Sequence, residues 1–212
     1  ARYRSLAFVW FNQLTTEVMI KPEGYSKEKM LEIEKKYSNQ ASEINQTRNE
    51  VIDQQTIIYV LSESFSDPSR IEGVTISRNP IPNIQDIKSK VTSGLMKSDG
   101  YGGGTANMEF QTLTGLPFYN ISPTVSVLYS DVAPKMQPLI SISDSFAPKN
   151  KEIIHFESKI NYSRDVIYNR LDFDKFVSID DKKEYNVGYQ EIHVSDQSTY
   201  NAVLKDLNPK QS

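Results

Sequence analysis

Short apolar, β-branched runs alternate with helix-spaced segments along this chain, and that alternation predicts an α/β fold with a mainly parallel sheet flanked by helices. Two further observations support it. The run Thr56-Ile57-Ile58-Tyr59-Val60-Leu61 is continuous rather than alternating, as in a strand covered on both faces. No Asn-Gly dipeptide signals a hairpin.

The elements follow in order. Residues 1–53 read as an entry segment, partly helical. Ser26 is placed to cap a helix, Glu28 suits its first turn, and Met30, Ile33 and Tyr37 recur at helical spacing. Few apolar residues follow up to Asp53, so this helix is expected to be largely exposed. Residues 54–212 read as the domain proper. After the 56–61 strand, a loop carries Pro68, Pro80 and Pro82. Asn83 is placed to cap a helix whose Ile84, Ile87 and Val91 share a face. Ser93–Ser98 reads as a short strand. Thr105–Thr114 reads as a helix stopped by Gly115. A weak helix is expected near 134–144, a strand over Glu152–Phe156, a helix over Arg164–Leu171 and a strand over Lys175–Ser178. Ser195 is placed to cap a last helix with Tyr200, Val203, Leu204 and Leu207 on one stripe.

Composition narrows the function. The net charge of −3 gives no nucleic-acid footprint. With no cysteine, disulfides, thiolate metal sites and cysteine nucleophiles are excluded. The longest apolar run, Leu6–Phe11, is far short of the ~20 residues that span a bilayer. There is no Gly-x-Ser-x-Gly elbow and no Gly-Lys-Ser/Thr after the glycine-rich stretch.

Three segments are left to carry chemistry. Glu63 directly follows the 56–61 run, at the carboxyl edge where open α/β sheets bind ligands, and a carboxylate there suits a hard cation. A helix cap or plain loop acid is the alternative. In Gly100-Tyr101-Gly102-Gly103-Gly104-Thr105, four glycines in five residues let backbone approach a ligand closely. Thr105 then opens a helix, where the positive dipole end favours an alkoxide or a phosphate. It is a candidate nucleophile, with an ordinary N-cap as the alternative. His155 ends a strand and Arg164 opens the next helix. An arginine opposes the dipole there, which suits a role in holding an anion; Tyr162 between them is placed to pack on a substrate. A hydrogen-bonded strand-end histidine is the alternative for His155. His193 reads as a surface residue.

Together these segments resemble the lipoteichoic acid synthase family of phosphoglycerol transferases. Ile57–Pro68 is similar to its opening strand and metal-ligand motif, Ser98–Phe110 to its nucleophile loop, and His155 with Tyr162-Ser163-Arg164-Asp165 and Phe173–Phe176 to its substrate-binding stretch. Lys21–Ser26 is similar to the segment that follows the family's transmembrane helices. The resemblance implies an alkaline-phosphatase/sulfatase-like fold, incomplete on its C-terminal side. It implies a membrane protein, anchored through helices preceding this chain, with its catalytic domain on the extracellular face of a Gram-positive-type cell. The implied reaction transfers glycerol phosphate from phosphatidylglycerol to a growing lipoteichoic-acid-type polymer. Thr105 matches the nucleophile, which forms a covalent intermediate. Glu63 and Thr105 match ligands of a divalent metal, manganese or else magnesium. His155, Arg164 and Tyr162 match substrate contacts. The family's later Asp-His metal pair has no counterpart here, so these 212 residues are expected to be catalytically incomplete. A phosphate or sulfate ester hydrolase of the same superfamily, or a non-catalytic binder of anionic glycerophosphate groups, is the alternative reading.

Overall fold

The computed structural model describes residues 7, 10, 11, 14, 18–48, 55–62, 65–100 and 104–207. Its first long helix, α1 (Lys27–Gln46), starts at Ser26, whose side chain accepts from the Lys29 N–H. No α1 residue is buried, as the polar sequence leads one to expect. Helix α2 (Pro82–Lys90) begins two residues earlier than the asparagine cap predicts: Ile81 is the cap residue, and Pro82 takes the first helical position, where its missing N–H costs nothing.

Helix α3 (Thr105–Thr114) has the predicted bounds. Gly104 enters it at φ +87° and Gly115 ends it at φ +70°, both in the left-handed region that glycine adopts freely. A short helix α4 (Leu128–Asp131) packs against it. Strands β1 (Glu152–Ile154) and β2 (Lys175–Val177) pair in parallel, with Ile153 opposite Phe176. Helix α5 (Arg164–Arg170) makes the crossover between them. Strands β3 (Tyr189–Gln190) and β4 (His193–Val194) form a small antiparallel hairpin, and helix α6 (Asp196–Leu207) closes the described chain.

The main core gathers Ala106 and Phe110 of α3, Leu128 and Tyr129 of α4, and Ile167, Tyr168 and Leu171 around α5. Its aromatics meet edge to face: Phe110–Tyr129 at 6.3 Å between centroids, Tyr129–Tyr168 at 6.1 Å and Tyr168–Phe176 at 5.2 Å. Each such pair is worth about 0.5–1.5 kcal/mol beyond its buried area, and the series ties α3 to β2 through α4 and α5. A second cluster joins Phe156, Val177, Tyr185 and Ala202. Lysine 151 is buried, and its Nζ donates to the Leu171 carbonyl at 2.6 Å, satisfying the C-terminal end of α5. The Arg170 guanidinium holds the 133–136 turn by donating to the Ala133 and Met136 carbonyls.

Several expectations are corrected. Residues 55–62 form no strand, and Ile57–Leu61 are 43–59% exposed. Apolar content alone does not make a strand; a ladder partner does, and none lies among the described residues. Ser93–Ser98 is likewise extended without a ladder. The helix expected at 134–144 is instead two 3₁₀ turns, Ala133–Lys135 and Ile142–Ser145. Pro134 and Pro138 lack the N–H that an α-helix needs there. In α6 the packed face is Ser198 and Ala202, whereas Tyr200, Leu204 and Leu207 are exposed. The hairpin escaped detection because Glu191, not glycine, takes the left-handed turn position, at φ +56°. No helix among the described residues is long and apolar enough to cross a membrane.

Candidate active site

Thr105 is the first residue of α3 and is half-buried. The turn that delivers it is fixed from two sides. The Asn107 N–H donates to the Gly104 carbonyl at 2.8 Å, starting the helix. The buried Asn107 side chain donates to the Ser126 carbonyl and accepts from the Leu128 N–H, each at 2.9 Å, which staples the start of α3 to α4. The positive φ of Gly104 favours glycine, and a Cβ added there would also press on the Asn107 amide nitrogen at 3.3 Å. Thr105 therefore stands on a rigid helix start, beside N–H groups that favour negative charge.

Glu109 lies one turn further along α3 (about 6 Å between such Cβ atoms). Its carboxylate accepts from Arg164 Nε at 3.0 Å, from Arg164 Nη2 at 2.5 Å and from the Tyr168 hydroxyl at 2.6 Å. Arg164 and Tyr168 are themselves one turn apart on α5, so two facing helices meet through matched i, i+4 pairs. The Arg164 side chain as a whole is 3% exposed. Burial works against its charge, but hydrogen bonding and attraction from Glu109 prevail and hold its pKa above the usual value. Burial, followed by the nearby Glu109 charge, pushes the Tyr168 phenol up. Burial also raises Tyr129, whose hydroxyl has no hydrogen-bond partner among the described residues.

The approach to Arg164 is strained. Tyr162 and Ser163 both sit at φ +57°, a left-handed region that non-glycine residues seldom occupy. Such residues cost of order 1–3 kcal/mol each and cluster at functional sites. The turn stacks the Tyr162 ring against the guanidinium, 5.1 Å from centroid to Cζ, and leaves Tyr162 40% exposed. His155 follows β1 at its carboxyl end and is half-buried; its N–H donates to the Val177 carbonyl at 2.9 Å, extending the ladder. His155 and Arg164 thus bracket the loop that leaves the parallel pair.

Of the sequence-chosen residues, Arg164 is tied through Glu109 to the helix that Thr105 opens, and Tyr162 stacks on Arg164; His155 is held by the β1–β2 ladder. Glu63 lies outside the described residues. Glu109 was missed as a site residue; its signal was a lone carboxylate between Met108 and Phe110, on a helix turn shared with Thr105. His193 is exposed as expected, though it sits in β4 rather than a loop, with Nδ1 3.5 Å from Glu157 Oε1.

Among the described residues no group of three or more histidine, aspartate or glutamate side chains converges to hold a metal. A hard divalent cation takes about six oxygen ligands, more than the described residues bring together. A cleft of about 390 Å³ elsewhere is lined by Val18, Met19, Leu116, Ile121 and Met136, with Lys135 its one charged side chain. It offers neither a nucleophile nor a carboxylate.

The family model described as Sulfatase matches residues 55–212. Among solved structures, the Streptococcus pyogenes phosphoglycerol transferase GacH in complex with sn-glycerol-1-phosphate is 47% identical, with a TM-score of 0.85 over 92% of this chain and 51% of that one. A Rhizobium meliloti protein named for cyclic beta-1,2-glucan modification is 32% identical over 125 residues, 58% of this chain and 18% of that protein. The chain thus spans about half of the solved relative and less than a fifth of the rhizobial one.

Proposed function

The chain belongs to the sulfatase family and has its alkaline-phosphatase/sulfatase-like fold, and on that premise we propose that it is part of a phosphoglycerol transferase whose nucleophile is Thr105. The single observation that carries this reading is the likeness to a phosphoglycerol transferase at 47% identity over 92% of the chain.

In this reading the Thr105 hydroxyl oxygen attacks the phosphorus of phosphatidylglycerol. The bond from phosphorus to the diacylglycerol oxygen breaks, and the threonine proton ends on released diacylglycerol. An acceptor hydroxyl then attacks the glycerophosphoryl-threonine, the Thr105–phosphorus bond breaks and the proton returns to Thr105. The helix start stabilises negative charge on the transferring group. Arg164 supplies N–H donors to the glycerophosphate, His155 lines the carboxyl end of the parallel pair, and the exposed Tyr162 ring packs against substrate.

Divalent-metal use, typical of sulfatase-like enzymes, belongs to the reading, with Glu63 and Thr105 as ligands and manganese as the ion. So does a location outside the cell, beside the membrane that holds the lipid donor. The acceptor of first choice is a glycerol-phosphate polymer. The name of the rhizobial relative favours a second acceptor, a glucan hydroxyl.

The test is diacylglycerol release from phosphatidylglycerol by the intact protein, with each acceptor supplied in turn. Thr105→Ala should abolish release while leaving the fold intact, and the acceptor that increases release is the one used. Undiminished release by Thr105→Ala would refute the assignment.

A further inference from the structure

We propose that Glu109 is a positioning residue for glycerophosphate binding: it grips Arg164 by Nε and Nη2 and so turns the outer edge of the guanidinium, one N–H on each Nη, toward the anion held at Thr105. The proposal rests on the phosphoglycerol reading above and assigns a role to a residue that the reading does not use.

The donor count supports it. A guanidinium has five N–H groups. Glu109 takes one from Nε and one from Nη2, and the Asn161 carbonyl takes one from Nη1 at 3.4 Å. That leaves two without a partner among the described residues, one on each terminal nitrogen, enough donors for two oxygens of an oxyanion. A free arginine side chain would have to stop rotating to offer them. Here the rotation is already lost, because Glu109 is itself fixed by the Tyr168 hydroxyl at 2.6 Å.

The location of Glu109 supports it too. The carboxylate is on α3, one turn after Thr105, so the group that aims Arg164 shares a rigid element with the nucleophile. Any shift of α3 moves both together. The strained Tyr162-Ser163 turn then has a physical reason: it brings Arg164 to the start of α5 with the Tyr162 ring over its guanidinium. An ion pair serving stability alone would require neither the shared helix nor the exposed ring.

Affinity for sn-glycerol-1-phosphate is measured by calorimetry on the intact protein, with thermal melting alongside. Glu109→Asp keeps the charge and the ion pair but draws the guanidinium back by about one methylene. It should melt near the unmodified protein yet bind at least ~10-fold more weakly, a change of about 1.4 kcal/mol. Tyr168→Phe removes one donor from Glu109 and leaves the ion pair; it should weaken binding in the same direction by a smaller factor, and it serves if Glu109→Asp does not fold. Unchanged affinity in whichever of these variants folds overturns the positioning role. Failure of the unmodified protein to bind sn-glycerol-1-phosphate overturns the phosphoglycerol reading, and this proposal with it.

Discussion

Two cation–carboxylate clusters, each braced by a tyrosine, sit in opposite environments. Between α3 and α5, the Arg164 side chain is 3% exposed and that of Glu109 13%. Where β1, β2 and α6 meet, Lys175 Nζ reaches Glu152 at 2.7 Å, Asp206 at 3.0 Å and the Tyr185 hydroxyl at 2.7 Å, with the lysine side chain 45% exposed. The interactions are alike in kind and differ in what water can do when a partner is lost. Around Lys175 water replaces the missing group. Around Arg164 it does not, so the pair is obligatory. A buried pair is weak evidence for stability in itself, which is why its placement one turn from Thr105 points to use in binding.

The largest expected effect follows from that contrast. Glu109→Leu strands a buried guanidinium and should cost about 3–5 kcal/mol, read as a lower denaturant midpoint. Adding Arg164→Leu should recover most of the loss. If the double variant is no better than the single one, the buried cluster is not a pair in the energetic sense. Tyr129→Phe comes next. It removes a buried hydroxyl that no described group satisfies, so it should be neutral or stabilising by about 1 kcal/mol. A loss of that size would mean the hydroxyl has a partner after all.

On the exposed side, Lys175→Met should change stability by no more than about 1 kcal/mol. The pH dependence there has two signs. Burial pushes Glu152 up, against the pull of Lys175. Burial also acts to raise Asp206, but hydrogen bonding with Tyr185, Glu152 and Lys175 brings it below its usual value. Asp206 therefore adds stability at neutral pH that is lost as pH falls through its folded-state pKa. Glu152 does the reverse, since its charged form is disfavoured in the fold. Asp206→Asn should lower stability at neutral pH and flatten the acid limb, whereas Glu152→Gln should raise stability slightly at neutral pH. Tyr185, burial pushing it up to about 12, stays protonated throughout. Identical acid limbs in the parent and Asp206→Asn would remove this assignment.

The sequence spoke most clearly where local chemistry decides the outcome. Gly104 and Gly115 mark both ends of α3 because left-handed positions favour glycine, and the short apolar runs at 152 and 175 mark β1 and β2. It spoke poorly where distant partners decide. Ile57–Leu61 has the composition of a buried strand, yet its status rests on neighbours that composition does not name. The Glu109–Arg164 pair spans 55 residues, so neither residue's surroundings reveal the other. The α6 stripe was misread because Ser198, whose hydroxyl donates to the Gly188 carbonyl and accepts from its N–H, packs better there than the larger apolar residues beside it.

The central claim is that Thr105 carries the glycerophosphoryl group between donor and acceptor. The most direct measurement is to incubate the intact protein with phosphatidylglycerol, quench before acceptor is added, and examine the peptide containing Thr105 by mass spectrometry. The account predicts a glycerophosphoryl group on Thr105 that disappears once acceptor is supplied. Diacylglycerol release with an unmodified Thr105 peptide, or with the group on another residue, would contradict it.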